Sequence, residues 1–365
     1  MVKDLARQAT VAEALATAGH QEQALALLHG VEEQLTPLLS EEDEMVLIGN
    51  STDPHLQGSW TYDSLLRALA SAGRADRALR LGDALSSVGH RDYWMTDIVL
   101  RTAAAGQSRL AEALTHSVTE DFRRDLVRHK LAAVLARRGE HDAALTLARS
   151  LADSDRPSVF AEVVTQLAGA GRWAEATALY EEADSSVPSS RHAFGWDSTD
   201  VAWARAAHAV GDHRRAAELL AGAENRPHRY LDDTEKHREM ARTLAFMGDV
   251  DRATAYIRSV STYRDAQADA ATGFIEGLVD RGDHATAETH AQSFPHPATT
   301  AKACLTLALS LPPAEAKKAA ALAAHHGDWL SSLTALLRAE PACLDILTAP
   351  DVWPRLLGAR RPYEG

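Results

Sequence analysis

The side chains with the widest chemical range in this sequence are its 17 histidines. Their densest group is His325-His326 beside Asp328, with His284, His290 and His296 a little upstream. Adjacent side chains on a helix point about 100° apart, so neighbouring imidazoles there do not readily share one ion. Neither His-Glu-x-x-His nor Cys-x-x-Cys occurs, which removes the usual spacings of a zinc site. Carboxylate pairs such as Glu181-Glu182 and Asp232-Asp233 recur, yet a pair does acid-base work only in a cleft that perturbs its acidity. The Gly-rich phosphate loops and the Gly-x-Ser-x-Gly nucleophile elbow are absent as well. These residues predict solvated surface groups, with no catalytic, metal-binding or cofactor-binding set.

Charge and cysteine usage narrow the partners and the compartment. Lys and Arg total 38 against 51 Asp and Glu, a net charge of −13 that repels a polyphosphate backbone. Short basic tracts such as Arg123-Arg124 and Arg214-Arg215 have acids nearby in Asp121 and Asp212, so nucleic acid is a disfavoured partner. Cys304 and Cys343, the two cysteines, fit neither a disulfide framework nor a thiolate metal site, and the expected compartment is the cytoplasm. Met1-Val2-Lys3-Asp4-Leu5-Ala6-Arg7 lacks the apolar core of a signal peptide, and no stretch has the length of a membrane span. Neither secretion nor membrane insertion is expected.

What positions these side chains is a helix-forming alphabet. Hydrophobic residues make up 45% of the chain and aromatics only 5%, with Ala and Leu dominant. Val, Ile and Thr form no alternating runs, and no Asn-Gly or Asp-Gly hairpin signal appears, so no sheet is expected. Internal periodicity then sets the architecture. Gly19, Gly73, Gly106, Gly139, Gly171, Gly211, Gly248 and Gly282 are each followed five residues later by alanine: Ala24, Ala78, Ala111, Ala144, Ala176, Ala216, Ala253 and Ala287. Eight places before each glycine the residue is apolar, as in Val11, Ile98, Trp203 and Phe274, and four before it Leu predominates. Those positions share one stripe of a helix. The pattern reads as an antiparallel helix pair: the first helix ends at a left-handed glycine, and a turn carrying Glu140, Asp212, Asp249 or Asp283 launches the second. The alanine then lets the two helices approach closely. From Gly73 to Gly282 the glycines recur at a mean of about 35 residues.

Gly-x-x-x-x-Ala at that period, behind an apolar stripe, resembles the tetratricopeptide repeat over roughly residues 5 to 292. The repeats are degenerate. The family's aromatic two places after the glycine appears only as Trp173, and its closing proline only near Pro37 and Pro157. The resemblance implies an all-α fold, an α-α superhelix (solenoid) of about nine antiparallel helix pairs with a C-terminal helical cap. The array would occupy 1–310, with insertions near 33–60 and 183–199, and capping helices with a short tail would fill 311–365.

The same resemblance implies a concave groove lined by the first helix of each pair, at positions two, three, six, ten and thirteen before each glycine. Those positions collect Arg67, His129, Arg137, Arg205, His208, Arg238 and Arg242, and toward the C-terminal end Glu235, Asp269, Glu276 and Asp280. Because arginine pairs bidentately with carboxylates, the implied partner is a protein or peptide carrying acidic groups. Phe194 and Trp196, in the second insertion, are further candidate anchors. The expected function is a non-catalytic interaction scaffold. One alternative is a regulatory sensor of a small peptide or metabolite; an enzyme, a hydrolase or lyase on an all-helical scaffold, has the least support. By analogy, the Ala- and Arg-rich composition suits a high-GC bacterium.

Overall fold

A computed structural model describes residues 2–39, 59–85, 88–151, 156–184, 197–224, 234–260, 264–327 and 329–348. Every regular element among them is an α-helix, and none of these helices is long and apolar enough to cross a membrane. The chain divides into two compact units. One comprises Met1–Glu120, Pro313–Ala320 and Asp328–Gly365; the other comprises Asp121–Pro312 and Ala321–Gly327.

In the first unit the helix pairs are α1 (Val2–Thr17) with α2 (Gln21–Leu39), α3 (Ser59–Ser71) with α4 (Ala75–Leu85), and α5 (Val88–Ala104) with α6 (Ser108–Thr115). The second unit pairs α7 (Asp121–Arg137) with α8 (His141–Arg149), α9 (Arg156–Gly169) with α10 (Trp173–Asp184), and α11 (Asp197–Ala209) with α12 (His213–Glu224). It continues with α13 (Thr234–Met247) and α14 (Val250–Ser259), α15 (Arg264–Asp280) and α16 (His284–Ala291), and α17 (Pro297–Ser310). In sequence, α18 (Pro313–His326), α19 (Leu333–Ala339) and α20 (Cys343–Thr348) follow. Pairs stack through their first helices: α1 on α3 on α5 in the first unit, and α7, α9, α11, α13, α15 and α17 successively in the second. Within the first unit α1 also packs against α19, so a C-terminal helix lies on the first helix of the chain.

The turn closing each pair follows from one residue. All eight repeat glycines have φ between 74° and 96°, a region that costs a Cβ-bearing residue strain. At Gly139 the amide donates to Ala136 O at 3.0 Å and the next amide, of Glu140, reaches back to Leu135 O at 2.9 Å. This is the Schellman arrangement, and it satisfies carbonyls that the helix end leaves open. The same two bonds recur at the other seven glycines, from His20 N to Leu15 O through to Asp283 N to Leu278 O. Asp212, Asp249 and Asp283 then accept from the amides of Arg215, Arg252 and Thr286, capping the second helix. Glu140, one methylene longer, caps nothing and instead accepts from Arg138 Nε at 3.0 Å.

Packing explains the rest of the repeat. All eight alanines five places after the glycines are fully buried, and the eight apolar residues eight places before are at most 1% exposed. Thr102 stands fully buried where the repeat has Leu, its hydroxyl satisfied by donating to Ile98 O at 2.6 Å. Trp173 does not join the core and stands exposed. Adjacent turns are also stapled: Gln107 Nε2 donates to Gly73 O at 3.3 Å, and Arg281 Nη1 to Phe246 O at 3.3 Å.

Candidate functional site

The first-helix face of the second unit carries a charge lattice. Its tightest contact starts from two glycines, Gly273 and Gly277, one turn apart on α15. A Cβ at Gly273 would lie 2.0 Å from Arg238 O, and one at Gly277 2.1 Å from Arg242 O. Only glycine admits such a backbone approach. It sets the side chains of Arg238 and Arg242 on α13 directly beside Glu276 and Asp280 on α15. Arg238 Nε donates to Glu276 Oε2 at 3.0 Å, while Arg242 Nε and Nη2 donate to Asp280 Oδ2 at 2.9 and 2.7 Å.

On the other side of α13 the lattice runs inward to Glu162 on α9. Glu162 accepts from Arg205 Nη2 at 2.9 Å, from both terminal nitrogens of Arg242 at 3.3 Å, and from Gln166 Nε2 at 3.2 Å. Arg205 Nη1 donates to Glu239 Oε2 at 2.6 Å, so Glu239 joins α11 to α13. Arg205 and Arg242 are both buried, at 1% and 4% exposure, which makes this a core network and not a solvated face. Arg205 Nε is buried with no hydrogen-bond partner among the described residues.

The electrostatics follow from the same geometry. Burial by itself would raise the Glu162 carboxyl, but Arg242, Arg205 and Arg137 outweigh it and hold Glu162 well below the ordinary carboxylate range. Glu239 shows the same competition, burial against Arg205 and Arg242, and is likewise lowered. Arg242, although buried, is pushed well above its ordinary value by Glu162, Glu239, Asp280 and Glu276. All these groups are charged near neutrality.

The candidates from the sequence thus have different fates. Arg205, Arg238 and Arg242 meet carboxylates of their own chain. Arg137, on α7, is exposed and makes no ion pair or hydrogen bond among the described residues, yet its charge is felt at Glu162. His129 Nε2 and Ser158 Oγ share a hydrogen bond of 2.9 Å between α7 and α9. His208 Nδ1 approaches His213 Nδ1 to 3.1 Å, and its ring meets Phe246 edge-on. Asp269 on α15 accepts from Lys302 Nζ on α17 at 3.2 Å. In the first unit Arg67 lies between Glu13 and Asp97, at 3.5 and 3.8 Å, and Glu13 also pairs with Arg101 at 2.8 Å. Phe194 and Trp196 lie outside the described residues, as do 40–58 of the first insertion and 185–196 of the second. Glu162 and Glu239, the two carboxylates at the centre, were not among the sequence candidates: both stand nine places before a repeat glycine, an offset the assumed groove layout omits.

Among the described residues no group of three or more His, Cys, Asp and Glu side chains is placed to hold a metal ion. No protein-family model matches this chain, and no curated protein matches it at a significant level.

Proposed function

We propose that this chain is a tetratricopeptide-like interaction module that holds a segment of a partner protein along the first-helix face of its second unit. The observation carrying this reading is Arg137. It is an exposed guanidinium with no ion pair among the described residues, at the edge of a face where Arg205, Arg238 and Arg242 are neutralised within the fold. A partner carboxylate can pair with Arg137 without displacing a bond to any described residue, and the lattice behind it supplies a rigid backing. Glu162 and Glu239, held below the ordinary carboxylate range by buried arginines, are committed to the lattice and are not the groups that would meet a partner. Free thiols at Cys304 and Cys343 support a reducing, cytoplasmic setting.

The test is affinity capture from native lysate with wild type beside Arg137→Glu. A protein retained by wild type and lost by the variant supports both the module and its working face. Equal capture by the two proteins removes Arg137 from the site. Charge reversal at Arg205 or Arg242 would not serve, since either would leave buried carboxylates uncompensated and disturb the fold itself.

A further inference from the structure

The turn between α11 and α12 departs from its seven counterparts. The residue three places before the repeat glycine and the one two places after it meet across the turn; in the first pair Gln21 Nε2 reaches Ala16 O at 3.5 Å. The leading position holds a buried alanine in six of the eight turns, such as Ala70, Ala136 and Ala245, and Val279 in a seventh. Only here does it hold an imidazole, that of His208. The trailing position is histidine in three turns, as His141, His213 and His284, but only His213 faces a second histidine.

The backbone of the turn sets where the two residues stand. Gly211 N donates to His208 O at 3.0 Å and Asp212 N to Ala207 O at 2.8 Å, and Asp212 Oδ1 caps α12 by accepting from Arg215 N. The Nδ1 atoms stand 3.1 Å apart, with ring centroids at 4.6 Å and planes at 49°. His208 is half-buried and His213 exposed, so the gap between them is open to solvent.

We propose that His208 and His213 chelate a divalent first-row transition-metal ion through their Nδ1 atoms, with water filling the remaining positions. For metal–nitrogen bonds of about 2.0–2.1 Å, a 3.1 Å separation is spanned at an angle of about 95–100°, between the square-planar and tetrahedral values. In the empty pair one Nδ1 carries the proton of this contact; on binding, that proton passes through solvent to the same ring's Nε2, so both neutral rings offer an Nδ1 lone pair. Neighbouring arginines repel any cation, so the choice of ion rests on the donor atoms. Arg281 lies nearby, Arg214 and Arg215 follow His213, and Asp212 is already committed to Arg215 N and to Tyr180 Oη at 3.3 Å. Ca2+ and Mg2+, which need several oxygen ligands, find no such set among the described residues, whereas Cu(II), Ni(II) and Zn(II) favour imidazole.

The experiment adds Cu(II) alone to the full chain near neutral pH, followed by titration calorimetry and electron paramagnetic resonance, with His208→Ala and His213→Ala alongside. Both replacements install residues that other turns of this chain already hold, Ala70 and Ala75, and a helical melt checks that the fold is kept. The expected result is one equivalent in wild type with a two-nitrogen spectrum, bound on the order of 10²-fold more weakly by each variant as the second imidazole's effective concentration is lost. Identical isotherms and spectra for the three proteins would overturn the site. Should His208→Ala lose helix, the exposed His213→Ala decides alone.

Discussion

Arg242 faces Asp280 with Nε and Nη2 both on one carboxylate oxygen, at 2.9 and 2.7 Å, while Nη1 and Nη2 both reach Glu162 at 3.3 Å. One guanidinium therefore ties α9, α13 and α15 together. Taking such charges out of water costs nearly as much as their attraction returns, so the network's worth lies in what happens when one member is removed.

Glu162→Ala leaves Arg205 and Arg242 buried without their shared carboxylate and should cost about 3–5 kcal/mol in denaturant unfolding. The acid limb gives a second reading. The folded Glu162 carboxyl is depressed, so its contribution is fully present above the unfolded value of about 4.3 and is lost as pH falls through that value toward the folded one. Glu162→Gln should flatten that limb of the stability profile. A variant as stable as wild type with an unchanged acid limb would show that the pairing is idle.

Gly277→Ala places a Cβ against Arg242 O and Ala245 Cβ, at 2.1 and 2.9 Å in the present geometry. The helices must separate, and the expected loss is about 1–3 kcal/mol, as for other overpacked cores. Hydrogen exchange should quicken first in α13 and α15. Unaltered protection there would mean that the close approach is not what sets the lattice.

Ala144→Phe tests the repeat register. Ala144 is fully buried where α8 meets its partner helix, and a ring there should lower stability by roughly 1–3 kcal/mol. A thermal midpoint equal to that of wild type would place the alanine slot elsewhere.

His141 gives a pH dependence of opposite chemistry. Burial first, and then Arg172, lower its folded pKa, and its Nδ1 has no hydrogen-bond partner among the described residues. The fold holds the neutral ring, so the associated stability is complete above the unfolded value of about 6.5 and declines as pH falls below it. Melting temperatures taken between about pH 7.5 and 5.5 should fall less steeply in His141→Gln than in wild type. Parallel curves would exclude His141 as the source.

Local rules carried the helix pairs. A glycine that must be left-handed, an alanine that must be small and an apolar residue eight places upstream are each constraints within a few residues, and the structure meets them at all eight glycines, while the position four upstream admits Thr102. The lattice was only half legible. Arg205, Arg238, Arg242, Glu276 and Asp280 could all be picked by their offset from a glycine, but the pairs stand 34 to 38 residues apart, and a pairing at such range depends on which helices touch. Glu162, 80 residues before Arg242, carried no signal of its own. The pair Gly273 and Gly277 did: two glycines four apart inside a helical stretch mark a face where another backbone comes close.

The eight turns, being built alike, would by themselves allow any helix pair to follow any other. The charge lattice removes that freedom. Glu162 is matched by arginines on the next two first helices, and Arg238 and Arg242 by carboxylates spaced likewise on α15. Exchanging two pairs would set like charges together in the core, so the lattice works as an address code, fixing the order of otherwise interchangeable cassettes.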